Sequence, residues 1–372
     1  MVCQLRRKEV KTCIVIVLLC MVPLLFISGC LEHGHKDVTF DIWLLKADAR
    51  GNMQWTATID SDPNGRGQSV IQIDNGGYAI AGTGTGPVPR ILTLDSEGKV
   101  VSDMTLGTSP DYGSSLVEGM NSGFIVASYS GILYQVNDNG SVLWSISLGG
   151  GSDWWKVVSA PGGGYTAAGD ASIIWLGENG EISRKADLGP GQHVNEIVPV
   201  SPDGFLVGGT SDAGIWTAML GPGGSMLWNR TFATGSPAEL YTLRLSPSGT
   251  IDGIYSVTWY SGNETNEKWY TETTEISLAS DGRLVGERPV NVSRVMAGTD
   301  DGGYAYAGFS VPGFTELQRT GYPGSPLHIV RLDETLSVAW DVSFDIGDHT
   351  SIDSITQTSD GGFVILGHVL DL

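Results

Sequence analysis

The 372-residue sequence is 17% charged and 41% hydrophobic, carries 52 glycines and 11 tryptophans, and has a net charge of −20. A surface this acidic repels nucleic acid and anionic headgroups rather than binding them. Abundant glycine beside threonine, valine, isoleucine and aromatics favours strands and turns, and the length suits one large all-β domain or two to three smaller ones.

At the N-terminus, Arg6, Arg7, Lys8 and Lys11 precede an apolar run from Cys13 to Ile27, broken only by Pro23, and Ile27-Ser28-Gly29-Cys30 follows. The run is short for a spanning helix. The segment resembles a lipoprotein signal peptide covering residues 1–29, with Cys30 as the expected lipidated N-terminus; an uncleaved anchor and an ordinary signal peptide are the alternatives. Small Ser28 and Gly29 admit a peptidase, and the Cys30 thiol accepts the lipid. All four cysteines (Cys3, Cys13, Cys20 and Cys30) lie in this segment. The mature domain therefore has no disulfide framework, cysteine nucleophile or thiolate metal site. Cleavage removes four basic side chains and Glu9, taking the net charge from −20 to −23. The expected organisation is a linker at 30–39 and a domain at 40–372, held on the extracytoplasmic face of the cell membrane.

Two phrases then alternate along the chain. The first is a glycine turn feeding a short apolar strand, clearest in Thr358-Ser359-Asp360-Gly361-Gly362-Phe363-Val364-Ile365-Leu366-Gly367. Its glycines recur at Gly77, Gly123, Gly164, Gly204, Gly249, Gly303 and Gly362, separated by 40 to 59 residues. Six copies precede Tyr or Phe; the fifth, Ser246 to Thr250, is degraded. The apolar run suits a strand covered on both faces. The second phrase is a strand, a polar turn, Gly, three residues and often Trp, first seen from Leu45 to Trp55. It recurs at Gly98, Gly140, Gly180, Gly224, Gly282 and Leu336, with Trp144, Trp228 and Trp340 repeating the aromatic. Two turn signals per period mean four strands, and seven periods predict an all-β, seven-bladed β-propeller.

With the strands of each blade named A to D, the first phrase is the A–B turn and the second the C–D turn. The mature chain begins with C (Ile42 to Ala47) and D (Met53 to Ile59) and ends with A (Ser351 to Gln357) and B (Phe363 to Val369). N-terminal C and D therefore pair with C-terminal A and B, closing the ring and removing open edges. The spacing from C–D to A–B turns is nearly constant, so the extra residues of blades five and six fall between B and C, at about Trp259–Tyr270 and Phe309–Pro326. Strand alternation puts both insertions on the face of the D–A loops.

These phrases resemble the secreted propeller repeats of prokaryotic surface proteins and, more distantly, PQQ-like and WD-like repeats. Trp55, Trp144, Trp228 and Trp340 match the turn, Gly, three residues and Trp that end a PQQ-like blade. The resemblance covers about residues 40–372 and implies the fold, with the Trp as a docking residue between blades. It implies no activity. The quinone-binding residues of quinoprotein dehydrogenases have no counterpart, and no cofactor is expected.

Candidate sites are sparse. Asp60-Ser61-Asp62-Pro63-Asn64-Gly65 resembles the first half of a calcium loop, with Asp60, Asp62 and Asn64 as oxygen ligands, but the twelfth position is Ile71 rather than Glu, and a plain turn explains it equally. The six histidines show no metal-ligand spacing, and no metal or catalytic residue is assigned. The D–A loops bring Tyr112, Trp154, Trp155, His193, Tyr241, Asn195, Glu239, Arg294, His349 and Asp353 towards the mouth of the central channel, and the fifth-blade insertion adds Trp259, Tyr260, Trp269 and Tyr270. Trp154-Trp155 reads as an exposed pair. Aromatics among amides and carboxylates suit sugar rings or a protein hot spot, although some must pack between blades. The expected ligand-binding set is Trp154, Trp155, Trp269, Tyr112, Tyr241 and His193. Four sequons, at Asn139, Asn229, Asn263 and Asn291, are possible glycan sites. The sequence reads as a membrane-anchored binding or interaction module for a surface glycan or protein. The rivals are an envelope-assembly scaffold and a polysaccharide lyase or glycosidase using Glu239, Asp353 or His193.

Overall fold

The computed structural model describes residues 39–371 apart from 60–64, 85, 87, 109, 120–122, 150–154, 190, 201–203, 247–248, 262–267, 293–294, 311–323 and 348–349. All belong to the second of two units in the chain, Asp37–Leu372. The described residues form seven four-stranded antiparallel sheets, and the only helical element among them is a 3-10 turn at Pro222–Gly224. The protein is a seven-bladed β-propeller, as the repeats predict.

Six blades use strands consecutive in sequence. The seventh is built from both ends of the chain: A and B are Thr350–Gln357 and Phe363–Asp371, and C and D are Thr39–Ala47 and Met53–Ile59. The closing ladder runs unbroken from Thr39↔Asp371 to Ala47↔Phe363. Lys46 Nζ, buried under the A–B turn, lies 2.9 Å from Asp360 Oδ2 and ties the two halves together. The A strands of neighbouring blades contact one another all the way round, so the ring closes through its innermost strands.

Burial follows from position in the blade. The B strands are covered on both faces, as in Tyr78–Thr83, where every residue is buried. The D strands are the outer edges and alternate exposed with half-buried residues, as in Val142–Ser147. Each of seven hydrophobic clusters lies between adjacent blades rather than within one.

The two repeated phrases meet at these interfaces. Trp55, on strand D of blade seven, donates its indole N–H to the Ser96 carbonyl at 3.1 Å and stands edge-on to Tyr78 of blade one at 5.5 Å. Trp228 reaches the Ser280 carbonyl at 2.9 Å, and Trp340 meets Phe363 at 5.9 Å. The turn glycine is required twice over at Gly98: its φ is +81°, and a Cβ there would lie 2.7 Å from the Trp55 ring. The Trp is a docking residue between blades, as the resemblance implies. Where blade three has Arg184 instead, that guanidinium sits 5.6 Å over Trp175, which packs against Gly224.

The described ends of the fifth-blade insertion are strand, with residues 262–267 between them outside the described residues. B and C, Ile251–Ser261 and Lys268–Leu278, pair in unbroken register from Ile251↔Leu278 to Ser261↔Lys268. The pairing of strand A with B ends at Ala238↔Val257 and that of D with C at Thr274↔Pro289, so the end of this hairpin extends as a two-stranded ribbon on the D–A loop face. Most of the sixth-blade insertion lies outside the described residues.

Candidate functional site

The A strands carry a local irregularity at one repeated place. In blades one, two, four, five and seven the A–B ladder skips one residue: Gln68, Ser114, Asn195, Tyr241 and Asp353. Each is a β-bulge, which leaves one residue unpaired and re-aims its side chain. Blade three begins its ladder at Lys156↔Ala168, so Trp155 holds the same position. The blade-six counterpart, Arg294, is outside the described residues. Counted back from the start of strand B, the bulge always falls ten residues ahead of Tyr78, Phe124, Tyr165, Phe205, Ile251 and Phe363.

The five bulge residues and Trp155 all line one cavity of about 590 Å³, at the end of the central channel facing the D–A loops. Every blade contributes to its wall, which also includes Ser69, Ser115, Lys156, Glu196, Glu239, Met296 and Ser354. The volume is in the range of a small-molecule site. Lys156 Nζ lies 2.9 Å from Glu196 Oε2, a bridge between blades three and four. Asp353, whose side chain is 1% exposed, lies 2.6 Å from Nδ1 of His368. The Ser114 hydroxyl donates to the Trp155 carbonyl at 2.7 Å, and the Val157 N–H to Ser115 Oγ at 3.3 Å, stitching blade two to blade three beside the cavity. Among the described residues no group of three or more His, Cys, Asp or Glu side chains is placed to hold a metal.

The expected ligand residues separate. Tyr241 lines the cavity, joined by Asn195, Glu239 and Asp353. Tyr112 is 45% exposed but is not part of the cavity wall; it stands edge-on to Tyr129 at 6.3 Å, on a loop where Asp111 accepts from the Ser130 N–H and hydroxyl. His193 is exposed and also outside the wall. Trp269 lies opposite Tyr260 in the extended hairpin. Trp154, His349, Asp60, Asp62, Asn64 and Cys30 fall outside the described residues.

Trp155 corrects the expectation of an exposed pair. It is 1% exposed and wedged between blades two and three, where a Cβ at Gly169 would sit 2.7 Å from its ring and one at Gly131 2.9 Å from Nε1. Glycine on both sides leaves a slot for the indole, so the ring is used in packing. The wall residues Gln68, Ser69, Ser114, Ser115, Lys156, Glu196 and Ser354 were not anticipated, because the pattern reading looked for loops and aromatics rather than inside the first strand of each blade.

No protein-family model matches the chain, and no curated protein is detectably similar to it in sequence. Solved structures are similar in fold. Virginiamycin B lyase from Staphylococcus aureus aligns with a TM-score of 0.58 at 12% identity, covering 88% of this chain and 99% of that one. The Pan2 WD40 domain of Neurospora crassa aligns at 0.54 and 10% identity, covering 82% and 89%. The WD40 propeller of Doa1 aligns at 0.54 and 11% identity, covering 83% and 93%. At such identities the likeness is one of fold alone.

Proposed function

We propose that the chain is a lipid-anchored, extracytoplasmic binding module whose ligand seats in the cavity at the mouth of the central channel. One observation carries this reading: a scaffold that repeats its turns and docking residues almost unchanged presents, at the same place on the six innermost strands where that position is described, a residue that differs from blade to blade. Repetition there would serve packing; variation converging on one cavity serves recognition. Binding is favoured over hydrolysis because two of the acidic side chains at the wall are already engaged, Glu196 with Lys156 and Asp353 with His368. The anchoring half of the proposal rests on the basic n-region, the apolar run and Ser28-Gly29-Cys30.

Two measurements test it. Full-length protein is applied to a glycan array and used as bait in a pull-down, beside Asn195→Trp, which fills the cavity, and Asn75→Ala, on the opposite face. Binding lost in the first variant and kept in the second is expected; a ligand captured equally by all three places the site elsewhere. Cys30→Ser should release the domain from membranes or leave an unprocessed precursor, and a variant fractionating with membranes at wild-type mobility defeats the anchor.

A further inference from the structure

The composition of the cavity wall narrows the ligand class, an argument that rests on the cavity being the binding site. An anion meets Glu196, Glu239 and Asp353 against a single Lys156. A simple cation is also poorly matched: Lys156 stands in the wall, and the carboxylates of Glu196 and Asp353 already hold partners at 2.9 Å and 2.6 Å. An apolar ligand would strip water from amides and hydroxyls without replacing their hydrogen bonds, which is costly. What remains is a neutral molecule dense in groups that both donate and accept.

The wall has the same dual character. Gln68 brings an amide with donor and acceptor ends; Asn195 brings an amide whose Oδ1 accepts from the Thr210 hydroxyl at 3.4 Å and whose NH2 donates; and Ser69, Ser115 and Ser354 bring hydroxyls, that of Ser115 accepting from the Val157 N–H at 3.3 Å. They come from four different blades, so they surround a ligand rather than line one side of it. Tyr241, half-buried, supplies the aromatic face against which a pyranose packs its C–H groups. A cavity of about 590 Å³ has the size of a small-molecule site rather than of a long polymer.

We infer that the cavity takes one or two sugar residues of a neutral glycan, read by the bulge positions Gln68, Asn195 and Tyr241. The probes are methyl glycosides of glucose, galactose, mannose and N-acetylglucosamine and the matching β-linked disaccharides, titrated into the full chain by calorimetry and saturation-transfer NMR. At least one is expected to bind. Gln68→Ala and Asn195→Ala should each weaken it about fivefold, the loss of roughly one hydrogen bond. Asn75→Ala should change nothing, and a thermal melt confirms that each variant folds. Silence of every sugar overturns the assignment, as does binding of putrescine or inorganic phosphate in their place. If the pull-down or array still yields a ligand blocked by Asn195→Trp, the binding reading survives and only the ligand class is wrong. If no ligand is sensitive to that substitution, both fall.

Discussion

Trp155 decides between packing and recognition, because the two roles predict opposite effects on stability. The ring is 1% exposed, between Gly131 and Gly169. Truncating a buried tryptophan costs about 3–5 kcal/mol, the lost transfer energy plus the cavity left behind. Gly169→Ala probes the same contact from the other side. The backbone there is compatible with any residue, so only space matters, and the added methyl would lie 2.7 Å from Trp155 Cδ2 and 3.0 Å from Cγ. Such overpacking costs about 1–3 kcal/mol. With the indole gone the clash disappears, so Gly169→Ala should be close to neutral in the Trp155→Ala background. The cycle should therefore fall short of additivity by about 1–3 kcal/mol, far beyond the few tenths expected of independent sites. Urea unfolding followed by far-ultraviolet circular dichroism, which does not depend on the deleted fluorophore, gives all four stabilities. Additive effects, or a Trp155→Ala variant as stable as wild type, would refute the wedge and return Trp155 to the ligand-facing set.

Deleting residues 350–372 removes half of the closing blade, including Phe363, Val364, Ile365 and Leu366, all fully buried. At about 1.5–3 kcal/mol per side chain the loss rivals the whole stability of a typical domain, about 5–15 kcal/mol, so calorimetry should show no cooperative transition; an unchanged melt would mean the ring closes elsewhere. Asp360 supplies a pH test. Partial burial raises its pKa, but bonds from the Thr358 hydroxyl, Lys46 and the Gly362 N–H outweigh it, and the folded pKa is lowered. The stability it contributes is thus present above the unfolded value of about 3.9 and is lost as pH falls through the lower folded pKa. Asp360→Asn should be less stable than wild type at pH 6, and the gap should shrink at pH 3; a gap that is constant with pH would show that Lys46 and Asp360 do not form the latch.

Why the fold was legible is visible in the turns. At the A–B turn the Gly361 N–H reaches the Thr358 carbonyl at 2.8 Å and the Thr358 N–H the Gly362 carbonyl at 2.9 Å, and the same pair of bonds recurs at Ile73 and Gly77. Geometry this local, with φ of +75° at Gly361, selects glycine at a fixed place and so writes itself into the sequence. The Trp that docks on the next blade's glycine is legible for the same reason: a flat ring and a missing Cβ are complementary, and each constrains the other. The blade-five hairpin was legible only as extra length, since nothing in Thr258 to Ser261 distinguishes a loop from two further turns of ladder.

The cavity was hidden because a bulge has no residue requirement. Gln68, Ser114, Trp155, Asn195, Tyr241 and Asp353 span amide, hydroxyl, indole, phenol and carboxylate, so no residue type recurs down the column. Yet its distance from the start of strand B is fixed at ten residues, because the ladder between them is fixed. The signal was positional constancy with chemical variation. That is also the physical description of a recognition site on a repeat scaffold: the backbone holds each position at the channel, the skipped pairing takes the residue out of the ladder, and its side chain can then change from blade to blade without breaking the sheet. Trp155 is the exception that fits the rule, since it is the one member of the column that has glycines on both sides and has been drawn back into the core.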